Sequence, residues 1–309
     1  MKIIIFGLGS IGSRHAKILR QRKGLELFAY RTYKRGGSGA AIKEVTDWEA
    51  VDKIKPAVAF ITNPTNLHID TAIQCARRGM KLFIEKPLGS DIKNLDRLLT
   101  IVSQKKVVTY VAYVLRFHPV IQRLKKYFKK NQFLHLRAQA TSYLPAWVPN
   151  KDHRKRYSAH SQLGGGVIYD LSHELDYTQY LLGPIKKVKG QFARRSDVTV
   201  DAEDYADILL ETKLGPANIH INFMSHLPQR TVQIDFQGFS VEGDLIRNSV
   251  TEYLKNGRIR KYKLKDGLEC AYADQAKYFF ANLSNQKMMN NIFEAAELLK
   301  VMHQLKKAR

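Results

Sequence analysis

The sequence predicts an α/β chain in two parts, a doubly wound parallel sheet followed by an α+β region with an open, mostly antiparallel sheet. Two observations carry this. Over residues 1–118 short β-branched apolar runs alternate with stretches of helical period, the pattern of βαβ units. After Pro119 the texture shifts to alternating polar and apolar segments. The length, 309 residues with 44% apolar, is enough for two cores. The expected boundaries are 1–118 and 119–309.

In the first part, strands are expected at Ile3 to Phe6, Leu25 to Tyr30, Ala57 to Thr62, Lys81 to Glu85 and Val107 to Val111. Strands covered on both faces read as near-continuous apolar runs, as these do. Helices are expected at Ile11 to Gln21, Leu67 to Arg78 and Ile92 to Ser103. In the second part a basic amphipathic helix spans Val120 to Lys130, then a strand at Phe133 to Thr141, an irregular stretch from Tyr143 to Gln162, and a helix from the glycines at 164–166 to Leu182. Strand candidates follow at Ile208–Leu210, Ala217–Phe223, Val232–Phe236 and Ser249–Leu254, with a hairpin turn at Asn256-Gly257. Helices at Tyr272 to Leu283 and Asn291 to Leu305 close the chain.

Charge is uneven: 51 Lys and Arg against 28 Asp and Glu give +23. Such a field attracts nucleotides and acidic metabolites. No nucleic-acid module and no metal-ligand spacing accompanies it, so neither nucleic acid nor a metal is expected. Cys75 and Cys270 form no pattern, and no run reaches the length of a membrane helix or a signal peptide. A cytoplasmic protein with no membrane partner is expected.

Gly7-Leu8-Gly9-Ser10-Ile11-Gly12 follows a strand and opens a helix, the context that gives G-x-G-x-x-G its meaning. The first glycine makes the turn, the second admits a pyrophosphate, and the third lets helix and strand pack. This is the fingerprint of a Rossmann dinucleotide site. At the end of the second strand stand Tyr30, Arg31 and Thr32, with Lys34 and Arg35 behind and no carboxylate. A guanidinium can pair with a 2′-phosphate, so NADP(H) is expected over NAD(H), which stays the second choice. Thr62, Asn63, Pro64, Asn66 and His68 close the third strand, and Glu85 and Lys86 the fourth. Ligands in open α/β sheets sit at these carboxyl ends. A lysine there can move a proton to or from a substrate oxygen.

These segments resemble the Gfo/Idh/MocA family of glucose–fructose oxidoreductase and inositol dehydrogenase. The resemblance rests on the glycine turn, Asn63-Pro64-x-x-x-His68, Glu85-Lys86-Pro87, Arg116-Phe117-His118-Pro119 and Gly164-Gly165-Gly166-x-x-x-Asp170. It implies an NAD(P)-dependent dehydrogenase acting on CH–OH groups of a sugar or sugar derivative; the cationic loop adds the expectation of an acidic or nucleotide-linked one. It implies Lys86 as the catalytic lysine, completed by Asp170 and a histidine one turn on. The family's histidine position is Glu174 here, with His173 one residue earlier. On a continuous helix 170, 173, 174 and 177 share a face, so either could serve. His173 is assigned, with Glu174 the alternative. Arg116 and His118 are expected to line the same cleft, and Tyr143, Trp147, Arg154 and Tyr157 to lie on a loop over the substrate. The open sheet expected in the second part could pair with another subunit, so a homodimer or homotetramer is expected. A non-catalytic NADP-binding regulator and a reductase of imines or linear tetrapyrroles are the competing expectations, the latter opposed by Lys86.

Overall fold

The structure is a computed structural model and describes residues 1–31, 42–148, 152–198, 200–265 and 267–307. It divides into two compact units, 1–112 with 276–299, and 113–275 with 300–309.

The first unit is built on a six-stranded parallel sheet: β1 (Lys2–Phe6), β2 (Glu26–Tyr30), β3 (Lys43–Val45), β4 (Val58–Ile61), β5 (Lys81–Ile84) and β6 (Thr109–Val111), in the order β3-β2-β1-β4-β5-β6. This is the doubly wound order, with its switch point between β1 and β4. Ile3, Ile4 and Ile5 and all four residues of β4 are fully buried, as the continuous apolar runs require. Between the strands run α1 (Ser10–Arg20), α2 (Trp48–Ile54), α3 (His68–Arg77) and α4 (Leu95–Gln104). Helix α1 buries Gly12, His15, Ala16 and Leu19, one stripe at helical spacing. Asp47 caps α2 by accepting from the Ala50 N–H at 2.7 Å. The chain returns to this unit at 276–299, where the Asn290 carbonyl accepts from Val111 N and Thr109 Oγ1 from Ile292 N. The strand at 43–45 was not among those expected. It is three residues long and carries no apolar run that marks it.

The second unit holds an eight-stranded sheet: β7 (Phe133–Tyr143), β8 (Ile185–Ala193), β9 (Tyr205–Thr212), β10 (Pro216–Asn222), β11 (Met224–Phe236), β12 (Phe239–Asp244), β13 (Ser249–Leu254) and β14 (Ile259–Lys263). The order is β14-β13-β12-β11-β7-β10-β9-β8, antiparallel except for the β7·β10 pair. Gly257 at φ +77° makes the hairpin between β13 and β14. Helix α5 (Pro119–Tyr127) seats on β12 because Gly243 has no side chain: a Cβ there would meet Val120 at 2.6 Å and Leu124 at 2.9 Å.

The helix expected through Leu182 is two. Helix α6 (Val167–Asp170) ends, and α7 (His173–Leu182) begins after Ser172. At the break the Glu174 N–H donates to the Leu171 carbonyl, three residues back. No single helix carries 170, 173, 174 and 177, yet Glu174, Tyr177 and Asp170 all act on the one Arg230 guanidinium across the break. Two last helices, α8 (Leu268–Ala281) and α9 (Ile292–Lys307), complete the chain. No described helix is long and apolar enough to cross a membrane.

Candidate functional site

The first unit gathers its cluster at the carboxyl ends of β1, β4 and β5. Gly7, at φ +93°, turns the chain out of β1, and a Cβ there would lie 2.8 Å from the Asn63 backbone. At Gly12 a Cβ would lie 2.0 Å from the Gly7 carbonyl. Both glycines are dictated by close approach of backbone. Gly9 differs: a Cβ there meets nothing within 4 Å, so the side-chain-free face opens outward. Gly9 is also the N-cap of α1, whose first N–H groups receive no side-chain cap. Space at Gly9 and uncapped donors beside it fit a diphosphate. Leu8 and Ile11 are partly covered and Ser10 is exposed.

Thr62 fastens the turn from the β4 side, its hydroxyl donating to the Gly7 carbonyl at 2.6 Å. Asn63 donates to Thr71 at 2.9 Å. Pro64 and Asn66 are exposed. Tyr30 stacks on Phe6 at 5.1 Å and approaches Trp48 at 5.4 Å, so its ring serves packing. Arg31 donates to Glu44 on β3 at 3.1 Å, with the two side chains 21% and 12% exposed. Thr32, Lys34 and Arg35 lie outside the described residues.

The turn carrying Lys86 is held from two sides. Glu85, 7% exposed, meets His15 Nε2 at 2.7 Å through one oxygen and accepts the Lys86 N–H at 3.1 Å through the other. His68, buried at the start of α3, lies 2.9 Å from both the Pro87 and Asn63 carbonyls. Burial holds its pKa below the ordinary value, so the neutral ring donates to one of them. Lys86 itself is partly exposed. His15 was missed by sequence reasoning. Its signal was present: it falls on the buried stripe of α1, where a polar group must find a partner.

The second unit forms its own cluster around α6 and α7. Tyr157 donates to Asp170 at 2.5 Å. His173 is 9% exposed and lies edge-on to Tyr113, centroids 5.6 Å apart. Glu174, with no exposed side-chain surface, is gripped by Arg230 of β11 at 2.8 and 3.0 Å. Arg230 appeared in no expectation, because 56 residues separate it from Glu174. Burial, then Glu174, pushes the Tyr177 hydroxyl well up, so it stays neutral. Arg116 pairs with Asp176 at 2.9 and 2.8 Å, both buried. Trp147 donates to Ser142 at 2.8 Å and carries Arg156 over its ring at 5.7 Å. Tyr143 packs on His226 at 4.1 Å. Arg154 is set apart: it is exposed and pairs with Asp152 at 2.9 Å.

His118 is 2% exposed and caps α5, its Nδ1 accepting from Val120 N at 3.3 Å. Burial first, then Arg230, lowers its pKa from 6.5 to about 4. The folded state thus keeps it neutral where the unfolded chain takes up a proton. Its contribution is present above pH 6.5 and is lost as pH falls from 6.5 toward about 4. Unfolding free energy should fall by up to ~3 kcal/mol across that window. His118→Asn, which keeps a cap but does not titrate, should lose less on the same drop in pH, as read by urea denaturation.

Residues 1–113 match the model of an oxidoreductase family with an NAD-binding Rossmann fold, and residues 121–243 that of the GFO/IDH/MocA C-terminal domain. Inositol 2-dehydrogenase of Rhizobium meliloti is 26% identical over 230 residues, covering 71% of this chain and 67% of that protein. UDP-N-acetylglucosamine 3-dehydrogenase of Acidithiobacillus ferrooxidans is 25% identical over 257 residues, covering 82% and 77%. The solved structure of levoglucosan dehydrogenase in complex with NADH shares the fold over 99% of this chain and 96% of its own, at a TM-score of 0.86 and 16% identity.

Proposed function

Since the chain belongs to the Gfo/Idh/MocA oxidoreductase family, we propose that it moves a hydride between a nicotinamide dinucleotide and a carbinol or carbonyl carbon of a sugar or sugar derivative. The observation that carries this reading is the locked pair of turns in the first unit: an open, uncapped glycine turn for a diphosphate, and a lysine held on its neighbouring strands. The dinucleotide, when bound, supplies the two-electron chemistry. Gly9 leaves room for its phosphates, Gly7 and Gly12 make the close turn around that space, and the uncapped α1 N–H groups would receive them.

Lys86 holds or takes the proton at the reacting oxygen of the substrate. Asp170 and His173 orient the substrate hydroxyls, with Tyr157 fixing the Asp170 carboxylate. Glu174 has a different part. Its carboxylate is fully buried and answered by Arg230, so it anchors α7 and leaves the polar role to His173. Arg116 and His118 shape the second unit from within its core. The cation Arg156, set over Trp147, favours an acidic or nucleotide-linked sugar.

The cofactor is NADP(H) by preference, through Arg31. A 2′-phosphate must share that guanidinium with Glu44, so the preference is modest and NAD(H) is also used. The dissociation constant for NADPH should be lower than for NADH by less than about 10-fold, and Glu44→Gln should widen the ratio by roughly 3- to 10-fold. Tighter binding of NADH by the wild type would reverse the assignment. Turnover of a panel of inositols, anhydrosugars and nucleotide sugars, followed at the nicotinamide absorbance band, tests the reaction. Cofactor binding without turnover of any member would point to a regulator.

A further inference from the structure

Helix α1 begins at the open glycine turn and buries His15 in its second turn. The imidazole is 1% exposed and boxed by rings: Phe83 edge-on at 4.9 Å and Phe60 at 5.8 Å. Its Nε2 lies 2.7 Å from Glu85 Oε1, a contact across 70 residues of sequence. The other Glu85 oxygen accepts the backbone N–H of Lys86. A single chain of contacts therefore runs from the helix that faces the diphosphate to the backbone of the lysine.

The chemistry gives this chain a direction. A carboxylate as buried as Glu85 is costly unless it is hydrogen-bonded. His15 supplies that bond and draws charge away from the oxygen next to Lys86. With the imidazole gone, the carboxylate turns to the groups that remain, and the nearest cation in sequence is the Lys86 ammonium. The ammonium is then drawn into contact with Glu85 and its turn loses a fixed point. We propose that His15 is a positioning residue for Lys86, coupling the cofactor helix to the proton-handling amine through Glu85. The inference rests on the reading of Lys86 given above.

Two variants separate this from a packing role. His15→Phe keeps the ring volume but cannot bond to Glu85; His15→Gln restores an N–H donor. Each is measured for kcat, KM, cofactor affinity and melting temperature. In cofactor-bound protein without substrate, the rate of Lys86 acylation is also read by peptide mass spectrometry against the exposed Lys23 and Lys105. His15→Phe should lower kcat by roughly 10- to 100-fold, with cofactor affinity changed less than about 3-fold. It should slow Lys86 acylation by about 3-fold or more relative to the reference lysines. His15→Gln should restore most of both. The proposal is overturned if His15→Phe acylates Lys86 at the wild-type rate, or if Gln gives no rescue at a wild-type melting temperature. A Lys86→Ala enzyme that still turned over would instead remove the catalytic reading, and the acylation arm would still report whether His15 holds the lysine.

Discussion

Replacing Lys86 with alanine is expected to lower kcat by about 10²- to 10⁴-fold, the range lost when a positioned acid or base is removed. Cofactor affinity should be nearly unchanged, because the groups that make room for the diphosphate lie in the glycine turn and at the start of α1. The fold should tolerate the change. Lys86 is partly exposed, and the turn keeps its other fastenings, Glu85 to His15 and Pro87 to His68. The signature is thus a loss in kcat without a matching loss in dinucleotide binding. A fall in both by the same factor would mean that Lys86 holds the cofactor rather than the proton.

The largest expected effect on stability is at Asp176. It lies in α7, 1% exposed, and binds Arg116 at 2.8 and 2.9 Å while the guanidinium sits over Tyr180 at 5.0 Å. Gln122 donates to the Arg116 carbonyl, fixing the same turn. Asp176→Ala leaves a buried guanidinium without its carboxylate, at a cost of about 3–5 kcal/mol. For a unit of this size that corresponds to a fall of roughly 10 °C in melting temperature. The double variant Arg116→Met with Asp176→Leu should recover much of the loss, because it buries no charge. Equal losses in the single and double variants would show that the stabilisation comes from shape and not from charge.

What could be read in advance was local. Gly7, Gly9 and Gly12 mark a turn whose steric demands are met within one βα unit: backbone crowds Gly7 and Gly12, and open space lies beside Gly9. The apolar runs at 3–6, 58–61 and 82–84 reappear as buried strand segments. What escaped was set by partners far along the chain. Nothing near Glu174 announces Arg230, and only the register of β11 against β7 brings the two together. Glu44 sits on a three-residue strand and meets Arg31 only because β3 pairs with β2. His118 is expected in the cleft from its motif; its bond to Val120 N at the start of α5 and its burial were not announced by that motif. The break after Asp170 puts Leu171 and Ser172 between the two helices, a choice that helical periodicity does not register.

The reaction is tested most directly by isotope transfer. The oxidised cofactor is incubated with the enzyme and sugars deuterated at the carbinol carbon, and the dinucleotide is weighed by mass spectrometry. The account predicts reduced cofactor carrying the substrate's deuterium, formed by the wild type and nearly absent with Lys86→Ala. Reduced cofactor that gains only solvent hydrogen, or label transferred equally well by both proteins, would contradict it.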